Sequence, residues 1–162
     1  MKKRLYYESL IFTELSIKDI SIRYLNWFQK KERVKFIIKK PNSLLDLKKF
    51  VNKSKNDNEV ILVGIFDNMR NHLGNVKFDT FDYTNRSCTV GILTGQRRKG
   101  KHIYNTMDIL LGSIKFFKLF KDFNTFNLGV NILNFKAKKF FLKSGFKIKK
   151  KMPNINIMSL IL

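Results

Sequence analysis

A short basic loop flanked by glycines is well suited to bind an anion. It runs from Gly95 to His102, and the apolar residues after it step by three and four, which is typical of an amphipathic helix. N–H groups at a helix start and the helix dipole favour phosphate or pyrophosphate. The candidate phosphate ligands are Arg97, Arg98, Lys99, Gly100, Lys101 and His102. A solvated basic turn fits this loop equally well, and the glycine spacing excludes a Walker A loop.

A second patterned segment follows further along the chain. It begins with Asn134 and has apolar residues at positions expected to face inward, namely Ala137, Phe140 and Phe141. This spacing predicts a short helix over 134–144. Gly145 is expected to end that helix, because glycine adopts the left-handed conformation that commonly follows a helix end.

Together, the two segments resemble the GCN5-related N-acetyltransferases. The cofactor loop of that family has the pattern Gln/Arg-x-x-Gly-x-Gly/Ala, which corresponds here to Arg97, Gly100 and His102. Its later segment has the pattern Asn-x-x-Ala/Ser followed by Phe-Tyr/Phe-x-Lys-x-Gly-Phe, as at 134–146. Residues 24–28, 74–77 and 90–93 are similar to the branch that holds ribosomal-protein and amino-sugar acetyltransferases.

This resemblance implies transfer of an acetyl group from the co-substrate acetyl-CoA to a primary amine. It implies a strand that splays from its neighbour, with the backbone around Ile92 and Leu93 pairing with the pantetheine arm. The amides of 97–102 would hold the pyrophosphate, and Asn134 would contact the cofactor arm. Phe141 takes the position at which many members have a tyrosine that protonates the leaving thiolate.

Two residues depart from the family pattern. His102 stands where the family has Gly or Ala, so its imidazole must point away for the backbone to approach phosphate. Phe141 has no proton to donate, as is common in this branch of the family. Water, or the amides near the pyrophosphate, would then accommodate the thiolate.

The attacking amine also needs a general base, because it is an ammonium at neutral pH. Asp79 is the first candidate, since aspartate is disfavoured in the strand that the sequence predicts around it. Asp82 and His72 are the next candidates. Asp82 is also typical of a turn, and His72, at a strand start, is expected at the surface. Cys88 is expected to be a small core residue without a catalytic role.

The elements that position these residues follow from hydrophobic periodicity. Helices are expected after Ser16, from Ser43 to a loop at 52–58, over 103–117 and over 134–144. Strands are expected over 7–15, 59–67, 72–82, 87–94, 123–131, 146–152 and 154–162. This order predicts one α+β domain over residues 1–162, with a mostly antiparallel mixed sheet of about six to seven strands and about four flanking helices.

Composition limits the class of protein further. The 162 residues include 33 Lys and Arg against 12 Asp and Glu, a formal net charge of +21. This charge suggests an anionic partner, although a codon bias towards lysine explains it equally well. A single cysteine excludes a disulfide scaffold and a cysteine-based zinc site, and no metal is expected. No apolar run is long enough to span a membrane, so a cytoplasmic protein is expected.

Three functions are compatible with these features. The first is N-acetylation of a small amine, with a nucleotide-linked amino sugar expected because a basic surface suits a diphosphate. The second is acetylation of a protein N-terminus, such as that of a ribosomal protein, or of an aminoacyl-tRNA, with the basic surface docking on RNA. The third is a non-catalytic RNA-binding domain, for which the sequence has no recognition motif. The sequence specifies neither the acceptor nor the oligomeric state.

Overall fold

The computed structural model describes residues 3–29, 35–37, 40–95 and 104–162. In these residues eight strands form one sheet in the order β1-β2-β3-β4-β5-β6-β8-β7. The strands are β1 (Arg4–Tyr7), β2 (Leu10–Glu14), β3 (Val60–Asp67), β4 (His72–Asp82), β5 (Ser87–Thr94), β6 (Thr125–Asn131), β7 (Lys147–Lys151) and β8 (Ile155–Ile161). The helices are α1 (Ile22–Trp27), α2 (Leu44–Asn56), α3 (Thr106–Phe117) and α4 (Phe135–Lys143), with a 3₁₀ turn at Ile17–Asp19.

The parallel pair in the middle of the sheet is short. Ser87–Thr89 of β5 lie against 125–127 of β6, and no further pairing of these two strands occurs within the described ranges. On its other side β5 stays paired with β4 as far as Thr94. The half of β5 from Val90 to Thr94 therefore has an open backbone edge towards β6.

Helix α3 covers one face of the sheet and forms most of the core there. Its residues Ile109, Ile114 and Phe117 are fully or almost fully buried among side chains of the central strands. Asn105 caps its start, where the Asn105 side chain accepts a hydrogen bond of 3.0 Å from Met107 N. Gly112 lies so close to Phe12 of β2 that a Cβ atom there would be 2.2 Å from the ring.

Helices α1 and α2 cover the opposite face around a smaller core. Tyr24 and Trp27 of α1 and Leu47 and Val51 of α2 are buried there. Each helix begins after a serine that accepts a backbone hydrogen bond, Ser21 from Tyr24 N and Ser43 from Asp46 N. These caps supply partners for N–H groups that the first helical turn leaves unpaired.

The predicted α+β class and mostly antiparallel mixed sheet are confirmed, with eight strands instead of six or seven. The extra strand is β1, which lies mostly before the predicted strand 7–15 and forms a hairpin with β2; Glu8 reverses the chain between them with a φ of 51°. The helix expected after Ser16 is only a 3₁₀ turn, and α1 starts after Ser21. The loop expected at 52–58 was also wrong, because α2 continues to Asn56.

Candidate active site

A cavity of about 510 Å³ lies between the sheet and the helices α1 and α2. Part of its wall comes from the open half of β5, at Gly91, Ile92 and Leu93. The rest is lined by Tyr24, Phe28, Ile37, Lys40, Pro41, Asp46, Phe50, Leu62, Asn75 and Lys77. A molecule in this cavity would therefore lie next to the strand edge that the parallel pairing leaves open.

The cavity is mostly apolar, and its described wall has three charged side chains, Lys40, Asp46 and Lys77. The Lys77 ammonium forms an ion pair with the Asp79 carboxylate, which lies two residues further along the same face of β4. Asp46 lies in the first turn of α2, and its carboxylate accepts a long contact of 3.4 Å from Asn42 N. The described wall thus has two ammonium groups and one carboxylate, and Asp79 compensates the charge of Lys77.

His72 and Asn75 form a buried polar pair beside this cavity. The His72 ring is stacked on Phe66 and meets Tyr24 and Trp27, with ring centroids 4.8 to 5.0 Å apart. Its Nε2 lies 2.8 Å from Asn75 Oδ1 and 3.1 Å from Gly74 O. A carbonyl oxygen can only accept, so Nε2 carries the hydrogen. Burial lowers the pKa of His72, which keeps the imidazole neutral at neutral pH.

The expectation that His72 lies at the surface is therefore wrong. Only 8% of the residue is exposed, because its ring enters a gap between α1 and β3 that aromatic side chains line. A register shift between Ile65 and Phe66 marks the position where β3 meets His72. Burial also raises the pKa of the neighbouring Tyr24, so the phenol stays protonated.

The other two candidate bases lie at different distances from the cavity. Asp79 is half-buried, is paired in register with Thr89 of β5, and contacts the cavity residue Lys77. Asp82 lies further along β4, beyond an irregularity at which Thr80 has a φ of 54°. Its carboxylate accepts hydrogen bonds from the backbone and side chain of Asn85, which lower the pKa of Asp82. The structure thus brings Asp79, and not Asp82, next to the cavity.

The predicted cofactor residues are described in part. Arg97, Arg98, Lys99, Gly100, Lys101 and His102 lie outside the described residues. Gly95 precedes them, and its N–H donates to Leu73 O at 2.7 Å. A Cβ atom at Gly95 would be 2.4 Å from the Trp27 ring, so α1 packs directly on the start of the basic segment.

Asn134 and Phe141 hold α4 in place. The Asn134 side-chain oxygen accepts from Ala137 N at 3.1 Å, which leaves the N–H₂ group to donate to a ligand. Phe141 is half-buried and packs against Phe140 and Phe146, and Gly145 ends the helix with a φ of 90°. The inward positions predicted for α4 are confirmed.

Cys88 is a buried core residue, as expected. Burial, with a further effect of the Asp79 charge, raises the pKa of Cys88 to about 12. The thiol is therefore protonated and unreactive at neutral pH. In the described ranges, no group of three or more His, Cys, Asp or Glu side chains could hold a metal ion. No helix there is long and apolar enough to cross a membrane.

Comparisons with known proteins identify the fold. No family model matches the sequence, and no curated protein matches it significantly. The spermidine N-acetyltransferase from Vibrio cholerae, in complex with CoA and spermine, is similar at a TM-score of 0.80 and 18% identity, covering 94% of this chain and 95% of that one. RimL, the ribosomal L7/L12 alpha-N-protein acetyltransferase, is similar at a TM-score of 0.82 and 14% identity. This match covers 100% of this chain and 96% of that one. The chain has the GNAT fold.

Several residues of the cavity in this GNAT fold were missed from the sequence. Lys40 precedes α2 and Asp46 lies in its first turn. In the sequence, Asp46 is an ordinary acidic residue of a first helical turn and gives no sign of a cavity. Asn75 gives a detectable signal, because asparagine is disfavoured inside a strand. The same argument that selected Asp79 thus applied to Asn75, four residues earlier on β4.

Proposed function

We propose that the protein is an acetyl-CoA-dependent N-acetyltransferase. The observation that carries this proposal is the meeting of the cavity with the open half of β5 at Gly91, Ile92 and Leu93. An extended arm can pair with the open strand edge while a second molecule occupies the cavity. The likeness of the fold to two N-acetyltransferases supports the same function.

The residues beside the cavity suit the transfer to an amine. When bound, acetyl-CoA supplies the acetyl group, whose C–S bond breaks as the amine nitrogen forms the new C–N bond. Asp79 accepts the proton that the ammonium loses, and its ion pair with Lys77 holds the carboxylate beside the cavity. Phe141 cannot donate a proton, so water protonates the departing thiolate.

The acceptor that we propose is a nucleotide-linked amino sugar. The similar protein from Vibrio cholerae is a spermidine N-acetyltransferase, and spermidine is a polycation. Here Lys40 and Lys77 outnumber Asp46 in the described wall of the cavity. A diphosphate can contact both of these ammonium groups, whereas the described wall offers a polycation only the carboxylate of Asp46.

Acetylation of a UDP-linked amino sugar and of spermidine tests this proposal. We expect kcat/KM to be at least about 100-fold higher for the nucleotide sugar, since each unit charge contact contributes about 1.5–3 kcal/mol. Lys40→Glu should lower kcat/KM for the nucleotide sugar about tenfold. Lys48→Glu makes the same charge change on α2 outside the cavity and should have less than about a twofold effect. A preference of the wild type for spermidine would contradict the acceptor assignment.

A second candidate acceptor is a protein N-terminus presented on RNA, as on a ribosome. From Phe123 to Leu162 the chain has eight lysines and no aspartate or glutamate. Four of these lysines are in β7, which lies at the edge of the sheet and is largely exposed. RNA that is retained at low salt and released steeply as salt rises would favour this acceptor. If the protein does not retain RNA even at low salt, the small amine remains the favoured acceptor.

A further inference from the structure

We propose that Asn75 determines acceptor specificity by donating a hydrogen bond from its side-chain N–H₂ group to an oxygen of the acceptor. This inference rests on the proposed N-acetyltransferase function and narrows its substrate class. The acceptor would be an amine with a hydroxyl, ether or carbonyl oxygen close to the nitrogen. A plain alkylamine or polyamine would lack the group that Asn75 binds.

The first observation is an unsatisfied donor in the cavity wall. Asn75 lines the cavity, yet only 3% of the residue is exposed. Its Nδ2 has no hydrogen-bond partner among the residues that the structure describes. The neighbouring Tyr24 hydroxyl interacts with Asn75 but does not satisfy Nδ2, because the contact falls outside hydrogen-bond geometry. Buried polar groups are nearly always paired, so an unpaired one in a binding cavity indicates a ligand contact.

The second observation is that the orientation of this amide is fixed. His72 Nε2 carries a hydrogen, because it also faces the carbonyl of Gly74, and it donates to Asn75 Oδ1 at 2.8 Å. A flipped amide would place the N–H₂ group against the N–H of His72. The Asn75 oxygen is therefore held by His72, and Nδ2 is the atom left for a ligand.

The third observation is the location of Asn75 in the sheet. It is paired in register with Leu93, on the half of β5 whose other edge is open. Apolar side chains, including Phe28 and Leu62, form most of the surrounding cavity wall. A donor in such surroundings discriminates strongly, because a ligand without an acceptor leaves it buried and unpaired.

Glucosamine and cyclohexylamine provide a matched pair of probes. Both are primary amines on a six-membered ring, and only glucosamine has oxygens. With acetyl-CoA as donor, Asn75→Leu should lower kcat/KM for glucosamine at least about tenfold and for cyclohexylamine less than about twofold. Asn156→Leu is the control, because Asn156 is also a buried strand asparagine, 5% exposed, but does not line the cavity. It should leave the ratio of the two kcat/KM values unchanged.

His72 acts as a positioning residue in this proposal. His72→Phe removes the hydrogen that holds Asn75 Oδ1 and should reduce the preference for glucosamine. His72→Gln can still donate to Asn75 and should restore most of that preference. Equal losses on both amines in the two variants would instead indicate a purely structural role for His72.

The outcomes separate this inference from the proposed function. A wild type that binds acetyl-CoA and acetylates amines, but shows the same relative loss on both probes in Asn75→Leu, would overturn the role of Asn75 alone. Absence of wild-type turnover on glucosamine would overturn it too. A wild type with no affinity for acetyl-CoA would overturn the proposed function, which a calorimetric titration measures independently. Circular dichroism melting of Asn75→Leu verifies that the variant is folded.

Discussion

The two faces of the sheet differ in how closely they are packed and in how many polar groups they bury. The face under α3 is a continuous apolar core in which Phe116, Phe117 and Phe126 are completely buried. The face under α1 and α2 has a smaller core, a cavity of about 510 Å³, and the buried polar pair of His72 and Asn75. The same sheet thus has the larger hydrophobic core on one face and the features of a binding site on the other.

The difference shows where this fold can tolerate polar groups. The α3 side is a closely packed core in which a polar group loses its hydration, as the hydroxyl of Ser113 in α3 does, which is buried without a partner among the described residues. On the other face, α1 and α2 leave a cavity next to β4 and β5, and polar side chains such as Lys77 line it. We therefore expect substitutions on the first face to change stability and those on the second to change activity.

Gly112→Ala gives the largest expected effect and tests the α3 face. The added Cβ would be 2.2 Å from the ring of Phe12, which is itself completely buried. Such overpacking should destabilise the fold by about 3 kcal/mol, or about 6–12 °C in melting temperature. Gly91→Ala is the matched control, because a Cβ atom added there would have no neighbouring atom within 4 Å. Equal melting temperatures for the two variants would contradict the close packing of this face.

Asp79→Asn tests the face with the cavity. Removal of the proton acceptor should lower kcat at neutral pH about 100-fold, or about 2.7 kcal/mol, while the affinity for acetyl-CoA stays the same. The loss should become smaller as pH rises, since more of the amine is then already neutral. Asp82→Asn in the nearby turn serves as the control and should retain wild-type turnover. If Asp79→Asn has the same kcat as the wild type at neutral pH and at higher pH, another group takes the proton.

The stability of the cavity face should depend on pH through His72. Burial places the folded-state pKa of His72 below the usual value of 6.5, although the hydrogen bond to Asn75 and the charge of Asp19 act in the opposite direction. As pH decreases, the unfolded chain therefore takes up this proton at a higher pH than the folded protein does. The free energy of unfolding falls as pH decreases below about 6.5. Between pH 7.5 and 5.5 the melting temperature should fall by about 2–4 °C more in the wild type than in His72→Gln. An identical pH dependence of the two proteins would show that His72 is not buried in neutral form.

Phe141→Tyr has the smallest expected effect, since Phe141 packs with the core of the α3 face. The wild type has no acid at this position, so a new hydroxyl should leave kcat within about tenfold of the wild-type value. Single-turnover kinetics with acetyl-CoA measure this change. A gain of several hundredfold would mean that α4 contributes directly to the chemistry, and the division between the two faces would be wrong.

The sequence predicts the fold well where local pattern decides the structure. The bounds of β4 and β5 match the predicted 72–82 and 87–94, because each strand is limited by turn residues. The β1–β2 hairpin was missed, since Glu8 is not a residue that favours a positive φ. Local patterns also predicted the inward face of α4, because the 3.6-residue periodicity of its apolar residues is sufficient to identify that face.

The candidate site is less predictable, because it joins residues from distant parts of the chain. The burial of His72 depends on Trp27 of α1 and Phe66 of β3, and no local pattern contains these contacts. Likewise Lys40 and Asp46 reach the cavity only because α2 packs on β3. The family resemblance supplied Ile92 and Leu93 of the cavity wall and also Asn134, but it did not indicate the side chains from α1, α2 and β4 that also line the cavity.

Hydrogen exchange of backbone amides, with and without acetyl-CoA, tests the central claim most directly. We predict that acetyl-CoA slows exchange in the open half of β5, at Ile92 and Leu93, because the strand edge gains a hydrogen-bonded partner. Exchange in β7 (Lys147–Lys151), on the far side of β8, should not change. No binding of acetyl-CoA, or binding that leaves exchange at residues 90–94 unaltered, would contradict the assignment of this strand edge as the cofactor site.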